Sequence, residues 1–192
     1  AKTAFPAWRD TPPLERAGLL KEIAAVMREH KEELALVDAA DSGNPVAAML
    51  KDIDIATSQL DYFAGLVLEM KGDTIPMGPD AVNMTVREPL GVVGRIVAFN
   101  HPLMFCAAKA AAPLAAGNTV VMKPAEQAPL SVLRWLELVA DILPAGVLNV
   151  VHGGAEAGAT LASHPDVAKV GLIGSVPTGR AVMHGASATI KD

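Results

Sequence analysis

The stretch GVVGRIVAFNHPLMFCAAKAAAPLAAGNTVVMKP, residues 91–124, decides the fold. It opens with an apolar, β-branched run (Val92, Val93, Ile96, Val97) that halts at Asn100-His101-Pro102. A helical pattern over 102–116 follows, then Gly117-Asn118, then a second β-rich run, NTVVM. Proline suits the first turn of a helix, where its missing N–H would have had no partner. Strands that are apolar throughout, rather than alternating, are covered on both faces, as in a parallel sheet. The segment therefore reads as strand, helix, parallel strand.

The same rhythm continues downstream. GVLNVV (146–151) and VAKVGLI (167–173) are further strand candidates, with helical patterns at 129–142 and 155–163 between them. Strand starts recur at about 22 to 28 residues, the period of βαβ units. The expected fold class is α/β: a doubly wound parallel sheet with about four strands present, over residues 90–192. Upstream, 1–70 reads as helical. Thr11 is the expected N-cap, ahead of Pro12 and Pro13. Leu19, Ile23, Val26, Met27, Leu34 and Val37 then describe one amphipathic helix, stopped at Gly43-Asn44-Pro45. Met49, Leu50, Ile53, Leu60, Phe63, Ala64 and Val67 draw the stripe of a second. Residues 71–89 are rich in turn formers, with a short strand expected at NMTVR (83–87), and form a hairpin or an arm.

Composition removes several classes of function. The 192 residues are 51% hydrophobic with mean hydropathy +0.33, enough for a sizeable core. A net charge of −5 gives no electrostatic footprint for nucleic acid and no basic face for a membrane. The single cysteine, Cys106, excludes an internal disulfide. The five histidines show no metal-ligand spacing, so no metal is expected. Lys109 and Pro113 interrupt the richest apolar run, so none spans a bilayer. No secretory signal is visible, and a cytoplasmic protein is expected; a first residue of Ala1 leaves open a native start further upstream.

In doubly wound sheets ligands bind beyond the carboxyl ends of the strands. After the first strand, Asn100 is either a helix cap or an amide donor able to hold an oxyanion, and His101 reads as a turn residue. After the second, Lys123 must reach solvent or a ligand. With Glu126 it suits a ribose, or else forms a solvated charge pair. After the third and fourth come Gly153, Gly154 and Gly158, and Gly174, Ser175 and Gly179. These let backbone approach a phosphate at a helix N-terminus, or are ordinary turns with Ser175 as N-cap. No G-x-G-x-x-G occurs. Cys106, among Phe105, Ala107 and Ala108, reads better as an apolar filler than as an acidified thiol.

Four segments, DTPPLERAGLL, REPLGVVGRIVAFNHPLMF, AAGNTVVMKPAEQAPL and LPAGVLNVVHGGAEAGATLASHPDVAKVGLIGSVPTGR, together resemble the aldehyde dehydrogenase superfamily, in the family's order and over essentially the whole chain. The resemblance implies a variant Rossmann sheet that binds NAD without the usual fingerprint, an aldehyde substrate, and a homo-oligomer when complete, with 71–89 as part of the oligomerisation arm. It implies that Asn100 holds the oxyanion, that Lys123 and Glu126 bind the adenosine ribose, and that Ile96 and Phe99 line the cofactor cleft. Gly154 and Gly158 would pack by the adenine, and Gly174 and Ser175 beside the pyrophosphate. Glu126 would repel a 2′-phosphate, favouring NAD over NADP.

Two short runs depart from the family: Ala98-Phe99-Asn100 where Pro-Trp-Asn is common, and Leu172-Ile173-Gly174-Ser175 where Phe-Thr-Gly-Ser is. The family's Glu-Leu-Gly-Gly base motif and its nucleophilic cysteine are not found before SATIKD, and Cys106 does not match the nucleophile. The expectation is the cofactor-side part of such an enzyme, without turnover alone. The alternatives are a nucleotide-binding module without chemistry, or a subunit completed by a partner.

Overall fold

The computed structural model describes residues 1–191, so the last position of the 90–192 stretch lies outside it. Helices α1 (Phe5–Asp10), α2 (Pro13–Glu29), α3 (Lys31–Ser42) and α4 (Val46–Gly65) come first. A hairpin of β1 (Thr74–Pro76) and β2 (Val82–Met84) follows. Then strands and helices alternate: β3 (Val92–Ile96), α5 (Pro102–Ala115), β4 (Thr119–Lys123), α6 (Leu130–Val139), β5 (Leu148–Val150), α7 (Ala155–Ser163), β6 (Val167–Leu172) and α8 (Val176–Ser187).

The four later strands form one parallel sheet in the order β5-β4-β3-β6. The chain starts at β3, steps outward to β4 and β5, then crosses back to place β6 on the other side of β3. This is the doubly wound arrangement, and its reversal of direction falls between β3 and β6. Side chains alternate across the sheet. Val97, Val120 and Met122 join a large core built with α2 to α6. Val92, Ile96, Val121, Val170 and Leu172 face a smaller cluster under α7 and α8.

Helix α5 is held at both ends by side chains from the N-terminal helices. It has no side-chain N-cap of its own, and the fully buried Asp38 carboxyl of α3 sits beside the Leu103 backbone in its first turn. At its other end, buried Arg16 of α2 donates through Nε to the Ala115 carbonyl (3.1 Å). Helix α6 likewise lacks its own cap, and the Leu130 N–H donates to Asp41 Oδ2 (2.8 Å). The orphan groups that any helix leaves at its ends are thus met from α2 and α3. Asp38 also accepts from Ser131 Oγ (2.8 Å), while its second oxygen has no partner among the described residues. Burial, aided by the charges of Asp52 and Asp41, outweighs these contacts and raises its carboxyl from 3.8 to about 6.

Three local expectations are corrected. Thr11 does not cap α2: Pro12 holds that position, and Thr11 closes α1, its Oγ1 donating to the Ala7 carbonyl (3.0 Å). The stripe from Leu19 to Val37 belongs to two helices that break at His30 (φ −98°, ψ 21°). The break turns α3 towards α6, where Glu33 accepts from Arg134 Nε (2.6 Å). The strand expected at 83–87 is Val82–Met84, paired only with β1 and exposed along its length. Among the described residues, no helix is long and apolar enough to cross a membrane, and no cluster of ligating side chains could hold a metal.

Candidate functional site

At the carboxyl ends of β3, β4 and β6 a cleft of about 860 Å³ opens between α7 and α8. It gathers eight residues singled out from the sequence: Ile96, Phe99, Lys123, Glu126, Gly154, Gly158, Gly174 and Ser175. Strand ends supply the floor, and the two helices supply walls of small side chains such as Ala159 and Ala181. Such walls leave room for a flat ring. The wall residues Ala181 and Gly185 carried no signal in the sequence, because nothing marks a small residue as lining rather than filling.

Lys123 was expected to reach solvent or a ligand, and it does not reach solvent. It is only 6% exposed. Its ammonium donates to the Pro124 carbonyl (3.1 Å) and to nothing else among the described residues. An ammonium has three donors, and only one of them meets a protein acceptor among the described residues, beside the cleft that Lys123 lines. Glu126 stands exposed on the same cleft, without an ion pair to Lys123 among the described residues. A Cβ added at Gly154 would lie 2.6 Å from Glu126 Oε2, so the missing side chain is what admits the carboxylate there. Ser175 is the N-cap of α8, its Oγ accepting from the Thr178 N–H (3.3 Å), and Gly174 precedes it. The positive end of the α8 dipole therefore borders the cleft.

Asn100 lies one residue past the lining, after Phe99, and is exposed. Its side chain does not cap α5; the position before that helix is His101, which makes no capping bond either. His101 is more than a turn residue. Its Nδ1 meets Asp52 Oδ2 at 2.7 Å, and its ring packs edge-to-face on Phe105. Asn44 Nδ2 donates to the Asn100 carbonyl (3.0 Å). Cys106 is fully buried inside α5, and burial, then the charge of Asp38, raises its thiol further above its ordinary value. It is a filler, not a nucleophile.

Sequence reasoning missed Asp38, Asn44 and Asp52. The available signal for two of them was an acid in an apolar register: Asp38 follows Leu34 by one helical turn, and Asp52 sits between Met49 and Ile53 on the buried face of α4. A second cavity, of about 480 Å³, lies on the same side of the sheet and is walled by Val92, Val121, Val151, Leu161 and Val167. Lys2 and Asp166 on its rim are already paired with each other.

Comparison with known proteins accords with this geometry. The aldehyde dehydrogenase family model matches residues 1–192. The chain is 51% identical to an aldehyde dehydrogenase of Talaromyces stipitatus, over 100% of its own length and 38% of that protein. It superposes on an NAD+ complex of an aldehyde dehydrogenase from Bacillus cereus with a TM-score of 0.96 at 40% identity, covering 100% of this chain and 40% of that one. An Escherichia coli NADP-dependent enzyme is equally similar, with a TM-score of 0.96, 39% identity, and the same coverage of 100% and 40%. The chain spans 36–38% of the length of the curated relatives it matches. It belongs to the aldehyde dehydrogenase family.

Proposed function

We propose that this member of the aldehyde dehydrogenase family is the cofactor-binding part of an enzyme that oxidises an aldehyde to a carboxylic acid through a cysteine thioester, with NAD as hydride acceptor. The observation that carries the reading is Lys123: a buried ammonium with one acceptor, facing a cleft whose other residues suit a dinucleotide. Two ribose hydroxyls would use its free donors, and Glu126 would accept from them. The small-residue walls of α7 and α8 would take the adenine, beside Gly154 and Gly158. Gly174 and Ser175, at the α8 N-terminus, would face the pyrophosphate. Ile96 and Phe99 would bound the path towards Asn100. When bound, the nicotinamide supplies a site for hydride.

The rest of the contribution of this chain is positional. Asn100 carries an amide that makes no hydrogen bond to protein among the described residues, so it is available to donate to an oxygen gaining negative charge. An amide does this without changing protonation state. Cys106 is unsuited to attack, so the sulfur and the base that activates water would come from other parts of the complete protein. The exposed hairpin, with Ile75, Met77, Val82, Met84 and Val86 outward, would take part in homo-oligomer formation. Relatives of both cofactor types are equally similar, and the choice of NAD over NADP rests on the Glu126 carboxylate.

Calorimetric titration with NAD and with ADP-ribose tests the reading. Both should bind the unmodified chain. Lys123→Ala should weaken both alike, since the lost contact is on the ribose they share. Unchanged affinity would sink the assignment.

A further inference from the structure

Asn100 has to be held still by something, because an oxyanion donor is useful only if its place is fixed before the charge develops. Its own side chain is exposed and unbonded, and it lies between a strand end and a helix start. Two contacts, one from the α3–α4 loop and one from α4, land on its carbonyl and on the next residue. The Asn44 amide donates to the Asn100 carbonyl (3.0 Å). Asp52, 4% exposed, holds His101, the next residue, at 2.7 Å.

Each contact is itself prepared. Asn44 follows Gly43, whose φ of +77° ends α3 in the left-handed conformation that glycine adopts without strain. The turn brings Asn44 Nδ2 to Ser42 Oγ (3.0 Å) as well as to Asn100. Ser42 Oγ in turn donates to the Asp38 carbonyl (2.6 Å). At the second contact, the His101 ring is braced by Phe105, with centroids 5.5 Å apart. Asp52 has His101 as its only side-chain partner among the described residues. A buried acid with one partner is a poor way to gain stability, since taking its charge out of water costs as much as the pair returns. Fixing one residue in place is a better account of it.

We propose that Asn44 and Asp52 are positioning residues that hold the peptide joining Asn100 to His101, one at its carbonyl and the other through the His101 side chain, and so aim the Asn100 amide. The inference rests on the proposed role of Asn100. A double-mutant cycle on the complete enzyme, with NAD and the best-used member of a panel of aldehydes from ethanal to benzaldehyde, separates the two. Asn100→Ala should lower kcat about 100-fold or more. Asp52→Asn should lower kcat about tenfold, the scale of a small misplacement, with KM for NAD unchanged. In the Asn100→Ala background it should have almost no further effect, because it acts through the amide that is gone. Asn44→Ala, on the rim of the helices, should repeat that pattern without threatening the fold. Equal losses in both backgrounds, or a loss in KM for NAD instead of kcat, would overturn the positioning role while leaving Asn100 intact. Full activity in Asn100→Ala, or no turnover of any aldehyde by the unmodified enzyme, would remove the underlying reading and this inference with it.

Discussion

On one face of the sheet, α5 and α6 lie beneath a further layer made by α2, α3 and α4, and side chains such as Leu20, Ile53, Leu60 and Leu114 have no exposure at all. On the other, α7 and α8 stand alone, and Val92, Ile96 and Val167 of the sheet and Leu161 of α7 each keep 5–8%. A fully buried aliphatic side chain contributes about 1.5–3 kcal/mol, and a dense face multiplies that contribution many times. The thin face contributes less to stability, and its packing leaves strand ends and small-residue walls open beside each other. On the function proposed above, stability and cofactor binding are divided between the two sides, with the sheet as the partition.

The sharpest way to break that division is to empty the dense side. Leu60→Ala should cost about 2–5 kcal/mol in urea unfolding, and Leu161→Ala on the thin side clearly less. Equal losses would mean the two faces are not different in kind.

Next comes the flaw within the dense face. The Asp38 carboxyl is raised from 3.8 to about 6, so the folded state holds its proton more tightly than the unfolded state does. Its contribution is most favourable below about pH 4 and is lost as pH rises to about 6. Compared with Asp38→Asn at each pH, the unmodified protein should lose about 2–3 kcal/mol of stability across that window. A flat difference would show that Asp38 titrates normally.

On the thin face the expected effects fall on binding. Lys123→Ala should weaken NAD about ten- to hundredfold, the worth of a charge-assisted bond or two, with little change in unfolding midpoint. A large drop in midpoint would make Lys123 a structural residue and blur the partition. The smallest effect is on cofactor choice: Glu126→Gln should narrow the ratio of NADP to NAD dissociation constants about fivefold, the scale of an exposed charge pair. No change would remove Glu126 from the discrimination.

Much of this was legible before any coordinates. Strands β3 to β6 stand out because their aliphatic and β-branched runs, such as Val92-Val93 and Val120-Val121-Met122, do not alternate strictly with polar residues, and the strand-end rule led to Lys123, Gly154 and Ser175, which line the cleft. The break at His30 was not legible, because no glycine or proline marks it; packing against α4 and α6 makes it. Nor was the fate of Asn100. The sequence allows it to cap α5, and what it does instead depends on Asn44, 56 residues away, and on the hold of Asp52 over His101, 49 residues away. Contacts of that separation leave no local pattern. They leave only an acid in an apolar stripe, which is easily read as a solvated position.

The helices that lack caps of their own also carry a message about synthesis. Asp41 precedes the helix start it serves by 89 residues. At about 5–20 residues per second, α3 would leave the ribosome on the order of 5 to 20 seconds before the start of α6. The cap is made before its client. The acceptor for the start of α6 is in the nascent chain before that helix exists, so the order of translation favours that starting point.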